Sequence, residues 1–374
     1  MNFKSLMLGA ATAAAAATGA QAADLPVAPE PVDYVRVCDA YGARFFYIPG
    51  TETCLRVGGR VRVQYVANNF GDNGNWGDRA EDGYSFLARG YLYLDSRTNT
   101  EFGLLRTYTE IYGTNSTSNS EGFSLGKAYV QWGGLTFGHA TSFFDYFTGQ
   151  AFVGVVGRNW SDTTSNVAAY TAAFGNGFSA TISIEDGSIR ESVSADYAGT
   201  RYPDLVANLR VDQGWGNAQI MGALHDARPS TAGVDGNVGW AIGGGVTIDL
   251  PMLASGSNIV FQAQYADGAL SYIGAGAYKD FSTVSSTTSS GYSLSGGLYH
   301  QATSTIGLAL DGSYMDLDLV GATDVTRYAI DGSVQWAPVS GLAIGADLGY
   351  ANTDTTGSAD QDNISFGVRV QRTF

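Results

Sequence analysis

Between residues 55 and 66 apolar and polar side chains alternate one for one. Leu55, Val57, Val61, Val63 and Tyr65 fall on one face, and Arg56, Arg60, Arg62 and Gln64 on the other. A period of two predicts a β-strand with two unlike faces. In a soluble sandwich the valines would look into a core and the arginines at water. In an outer-membrane barrel the valines meet lipid and the arginines line a water-filled lumen. The alternation recurs in sixteen segments: 55–67, 83–95, 99–112, 123–133, 134–140, 166–174, 178–186 and 204–212 in the first half. The second half holds 215–226, 236–250, 256–267, 292–301, 304–317, 323–337, 341–352 and 361–374.

The connections separate the two fold classes. Those after odd-numbered segments are mostly long: 68–82, 113–122, 141–165, 187–203, 227–235, 268–291 and 353–360, with 318–322 the exception. Those after even-numbered segments are mostly short, as at 96–98, 175–177, 213–214, 302–303 and 338–340. Short turns at one end and long loops at the other belong to outer-membrane barrels. A sandwich has no cause to sort loops by parity, and no fixed period supports a solenoid. The reading is therefore all-β, an antiparallel transmembrane β-barrel over 55–374. Leu342, Ile344, Ala346, Leu348 and Tyr350 would face lipid, with Asp347 and Gly349 opposite; Ile330, Val334 and Trp336 likewise, with Arg327, Asp331 and Ser333 inward. Aromatics near segment ends, such as Trp132 and Trp240, suit the interfacial girdles.

Composition changes the picture in four places. No internal run of 18 apolar residues exists in the 374, so a helical span is not expected. Residues 1–22 carry Lys4, an alanine-rich apolar stretch and Ala20-Gln21-Ala22, which read as a secretory signal peptide. Residues 23–54 form a lead-in, proline-rich at first and ending on a cysteine pair. Export to an oxidising compartment predicts a Cys38–Cys54 disulfide, worth about 3 kcal/mol in the chain-entropy model. The formal charge of −15 argues against nucleic acid as a partner.

Chemistry of other kinds is thin. Two cysteines and three scattered histidines make no zinc site by spacing, so no metal and no cofactor is expected. Residues 122–126 match G-x-S-x-G but open a strand with no helix following, so no enzyme is read from them. The acidic loop 71–83 lacks EF-hand spacing.

The lumen offers more. Arg60, Arg62, Arg89, Arg106 and Lys127 each lie opposite the apolar face of their own segment. With strands ~4.8 Å apart they would form one arc of roughly 15 Å at one height. Charged rings set ion selectivity in pores. The facing acids would be Asp145 and Asp162, in the 141–165 connection, together with Glu110.

Residues 363–374 place Ile364, Phe366, Val368, Val370 and Phe374 on one face. A terminal phenylalanine with alternating apolar residues resembles the recognition signal of bacterial outer-membrane barrels, which implies the barrel-assembly machinery as a partner of Phe374. Three stretches then stand out: VCDAYGARFFYIPGTETCLRVGGRVRVQY (37–65), RGYLYLDSRTNTEFGLLRTY (89–108) and GKAYVQWGGLTFGHATSFFDYF (126–147). With the closing VRVQRTF (368–374) they resemble the porins of alphaproteobacteria. That resemblance implies a sixteen-stranded barrel in outer-membrane lipid, usually a homotrimer, with its third external loop folded into the pore. It implies passive diffusion of ions and small hydrophilic solutes. His139 stands where such porins usually carry arginine, and Arg60 where an aromatic is common, so both bear on the charge of the eyelet. Two other readings compete: a solute-specific channel for a sugar or peptide, using the aromatics of 141–165, and a secreted β-rich surface protein.

Overall fold

The computed structural model describes residues 36–71, 74–117, 119–321 and 323–374. The signal-peptide reading of 1–22 and the first part of the lead-in, 23–35, lie outside them. Sixteen strands follow in chain order: β1 Cys54–Ala67, β2 Tyr84–Thr100, β3 Gly103–Ser116, β4 Asn119–Trp132, β5 Leu135–Thr141, β6 Thr164–Gly175, β7 Phe178–Glu185 and β8 Asp204–Gln213. The remainder are β9 Gly216–Ala227, β10 Asn237–Asp249, β11 Asn258–Asp267, β12 Ser290–Gln301, β13 Ile306–Leu319, β14 Thr323–Val339, β15 Leu342–Thr355 and β16 Gln361–Thr373. Each pairs antiparallel with the next. β16 closes the barrel on β1, with Val370 opposite Val63 and Thr373 opposite Arg60. The main chain of Phe374 exchanges both hydrogen bonds with Gly59, each at 3.0 Å. Among the described residues no strand edge is left open, as a membrane barrel requires.

Burial inverts the soluble pattern. Val61 and Leu348, on outward positions, are 49% and 57% exposed. Inward positions bury polar groups instead, among them Gln262, Ser293, Asp311, Asp331 and Asp347. A period-two chain has two faces, and here the apolar one looks at the membrane. No described helix is long and apolar enough to cross a membrane.

Two connections differ from expectation. The long loop expected at 113–122 is not there: β3 runs to Ser116 and β4 begins at Asn119. The turn expected at 96–98 is strand, and β2 continues to Thr100 before β3 starts at Gly103. Both stretches are rich in Ser, Thr and Asn, which reads as loop. Instead their hydroxyls bond across to neighbouring chain: Ser96 with Thr107 at 2.6 Å, Thr98 with Thr53 at 2.9 Å, and Thr114 accepting from Arg89 Nε at 2.8 Å. Before β1, a two-residue strand, Phe46–Tyr47, pairs with its start. The Cys38–Cys54 disulfide joins the lead-in to β1 with Cα atoms 6.0 Å apart. Both cysteines are buried with Phe45, against Tyr41 and Tyr47.

Candidate pore lining

The basic wall is built on β1, β2 and β16. Arg62 stands directly opposite Arg89, and Arg60 opposite Tyr91. The Arg60 guanidinium lies 3.9 Å from the Tyr91 ring centre, and that of Arg89 4.5 Å from Tyr112. Arg62 donates from Nε to Gln371 at 3.2 Å, and Arg89 from Nε to Thr114 at 2.8 Å. Arg369 adds a fourth guanidinium, donating to Gln64 at 2.6 Å. Among the described residues none of these four is paired with a carboxylate: their partners are rings, amides, hydroxyls and carbonyls.

Arg106 does not join this wall. It stands opposite Arg97, whose own partner is Cys54, at the far end of β1 from Arg62. That is roughly 26 Å along the strand, and a tilt of ~40° recovers only about 3 Å per strand crossed. Arg106 and Arg97 reach the buried Asp95 at 3.0 and 2.8 Å, with Arg56 at 3.6 Å. Inward direction was legible in the sequence, but height was not, so the single arc is corrected to a wall without Arg106. Lys127 stands opposite Glu110 on the neighbouring strand. Glu110 thus lies beside a cation on the basic side instead of across the lumen.

The acidic side also differs. Asp145 is buried against Arg190 at 3.3 Å and accepts from the Thr163 amide at 2.6 Å and from the Ser161 hydroxyl. It holds the 142–163 connection together and offers nothing to a solute. Asp162 is exposed. Its carboxyl is held above the usual range by the protein around it and then by Asp145, against the pull of Lys127 and Arg190. His139, opposite the outward Ala128, faces away from the lumen and meets Asn166 at 3.3 Å. It adds no charge to the pore wall.

What fastens 142–163 went unassigned in the sequence. Three aspartates on inward positions of β13, β14 and β15 each bind two successive amides through one oxygen. Asp311 takes Gln150 and Ala151 at 2.6 and 2.8 Å, and Asp347 takes Val153 and Gly154 at 2.7 and 2.9 Å. Asp331 takes Val155 and Val156 at 2.7 and 3.3 Å. Arg158 bridges Asp311 at 2.9 Å and Asp331 at 3.1 Å. Arg369 holds the carbonyls of Phe152 and Val153, and Arg327 those of Gly157 and the Asn159 side chain. The wall makes room through glycine. A Cβ on Gly345 would lie 2.5 Å from the Phe152 ring, and one on Gly367 2.6 Å from Val155. A signal was present: Leu310-Asp311-Gly312-Ser313 repeats as Ile330-Asp331-Gly332-Ser333 on adjacent strands.

Two further connections lock onto this one. The Arg190 guanidinium lies 4.1 Å from the Tyr272 ring, and the Tyr272 hydroxyl donates to Asp204 at 2.6 Å. His225 meets the same carboxylate at 2.8 Å, while Tyr197 donates to Asp280 at 2.6 Å. Burial first, and then the adjacent Asp280 and Asp204 carboxylates, push the Tyr197 and Tyr272 hydroxyls far above their ordinary pKa, so both stay donors.

Known proteins of this shape share the barrel. Over 242 residues the chain is 43% identical to the porin Omp2b of Brucella suis biovar 1, a match covering 58% of this chain and 64% of that protein. The outer membrane channel DcaP of Acinetobacter baumannii superposes with a TM-score of 0.73 at 17% identity, covering 88% of this chain and 99% of that one. The trimer form of the outer membrane protein OmpT of Vibrio cholerae gives 0.51 at 10% identity, covering 87% and 100%. A family profile described as "Porin subfamily" matches residues 24–371, and with the closed sixteen-stranded barrel this makes the chain a member of that porin family.

Proposed function

We propose that the protein is an outer-membrane porin, a water-filled channel for passive diffusion of ions and small hydrophilic solutes. The observation that carries this is a closed barrel, apolar outside, whose inner wall presents half-buried arginines lacking a carboxylate partner. Such groups are tolerated at membrane depth only where water reaches them. The 142–163 connection, fastened to inward side chains of β13–β16, narrows this lumen in our reading. The constriction is then bounded by Arg60, Arg62 and Arg89, with Lys127, Glu110 and Asp162 beside it. Arg106 would act at the end of the pore where the chain enters the barrel. Phe374, which closes β16 on Gly59, is proposed as the assembly signal.

A homotrimer is part of the proposal. Thr109, Ala128, His139 and Asn166 form one cross-strand row on the outward face of β3–β6. Polar groups facing hydrocarbon are costly, and a second copy of the chain covers them at lower cost. OmpT of Vibrio cholerae, the same fold, was solved as a trimer.

The full chain, extracted in detergent and added to planar bilayers, is expected to give ohmic conductance steps. Unheated gels should show a species of about three chain masses that heating converts to monomer. A folded, heat-modifiable barrel that conducts nothing would sink the channel reading, and a monomer before heating would sink the trimer.

A further inference from the structure

The chain carries a formal charge of −15, which suggests a pore that draws cations. The inner wall points the other way. The clamp carboxylates Asp311, Asp331 and Asp347 are at most 1% exposed, one oxygen of each turned to the amides of 142–163. Asp145 is spent on Arg190 and Asp95 on three arginines. At the far ends of β13 and β14, Asp318 and Asp324 pair on the outward face. These seven acids are thus buried, neutralised or outside the lumen, while the inward Glu110 stands opposite Lys127 and Asp162 is exposed. At the wall itself, apart from Arg369, the charges that remain without a carboxylate partner are those of Arg60, Arg62 and Arg89.

The cations are also placed at a cost. Arg62 and Arg89 occupy directly opposed positions, where like charges destabilise a sheet. The Arg60 Nε–H is buried with no acceptor among the described residues. An unpaired cationic donor beside two uncompensated guanidiniums lacks what completes it. Adjacent guanidiniums match the oxygens of a carboxylate or phosphate better than they match chloride.

Resting on the channel reading, we infer that the pore prefers anions, and that Arg60, Arg62 and Arg89 form a transit site for small oxyanions, phosphate among them. Arg369, behind them and committed to Phe152 and Val153, adds to the field without meeting the solute.

The test is a reversal potential for the full-length channel across a KCl gradient, with inorganic phosphate as the probe. Wild type is expected to pass chloride over potassium by roughly threefold or more. Millimolar phosphate should reduce its chloride current. In the Arg62→Ser, Arg89→Ser double variant the ratio should fall to one or below, and phosphate should no longer reduce the current. Heat-modifiable mobility on gels confirms folding; Arg60→Gln serves as a second variant and should shift the ratio in the same direction. Absence of any conductance overturns the channel reading, and this inference with it. Conductance that favours potassium overturns the inference and leaves the channel standing. Anion preference that survives both sets of substitutions overturns the assignment to these arginines.

Discussion

Asp331→Ala is expected to free the middle of the 142–163 connection from the barrel wall. The carboxylate accepts from the Val155 and Val156 amides and is one of the two acids held by Arg158. Its side chain is 0% exposed and that of Arg158 8%. Truncation therefore strands two buried amides and half-orphans a buried guanidinium. Removing one partner of such a pair costs about 3–5 kcal/mol, most of it for the charge left behind. The neighbouring clamps at Asp311 and Asp347 limit the loss to the local segment, so the barrel should still form. Hydrogen exchange at Val155 and Val156 should rise by two to three orders of magnitude, as about 3–4 kcal/mol of local protection implies. In bilayers the same variant should show larger or noisier conductance steps, because the narrowing element is loose. Asp331→Asn, which keeps the volume and one acceptor, should fall between the two. Unchanged protection in Asp331→Ala would mean that the wall does not depend on this clamp.

The barrel was legible because its physics is local. One residue decides one face, and sixteen two-faced segments with loops sorted by parity leave few folds to choose from. Position along the membrane normal was not legible. Arg106 and Arg62 read alike in sequence, yet pairing puts one beside Asp95 and the other beside Arg89. Height depends on register, and register is fixed by contacts far apart in the chain. The same reason hid the role of Asp145. An acid in a long aromatic loop reads as solute-facing, and only the fold brings Arg190, 45 residues on, against Asp145. Conversely, Asp331 and Asp347 read as ordinary lumen acids, although repetition of Asp-Gly-Ser at 311–313 and 331–333 on adjacent strands marks a built feature. Polar ends of β2 and β3 read as loop because Ser, Thr and Asn favour turns. In a membrane barrel the strand outlasts the hydrocarbon, and those residues suit the wet part of it.

Arg190→Met is expected to be the most damaging change outside the strands. Arg190 and Asp145 are 1% and 2% exposed in their side chains, and the pair joins two of the connections that pack together. Arg190 also donates to the Ser161 hydroxyl at 2.9 Å and lies over Tyr272, which ties in the third connection through Asp204. Methionine fills much of the volume and keeps contact with the ring, so the loss is electrostatic. It leaves the Asp145 carboxylate buried without its cation, at about 3–5 kcal/mol. Asp145→Asn alone leaves the guanidinium in the same position. The double variant removes both charges while asparagine still accepts from the Thr163 amide. It should therefore cost less than the two single changes added together, with a coupling of about 1–3 kcal/mol. The measurement is a double-mutant cycle on the heat-modification midpoint, with hydrogen exchange across 142–163, 186–203 and 268–289. Strict additivity would show that Asp145 and Arg190 are neighbours without being partners. Coupling with exposure of all three connections would identify the pair as the joint that makes them one unit, and would explain why an acid that reads as pore-lining is withheld from the pore.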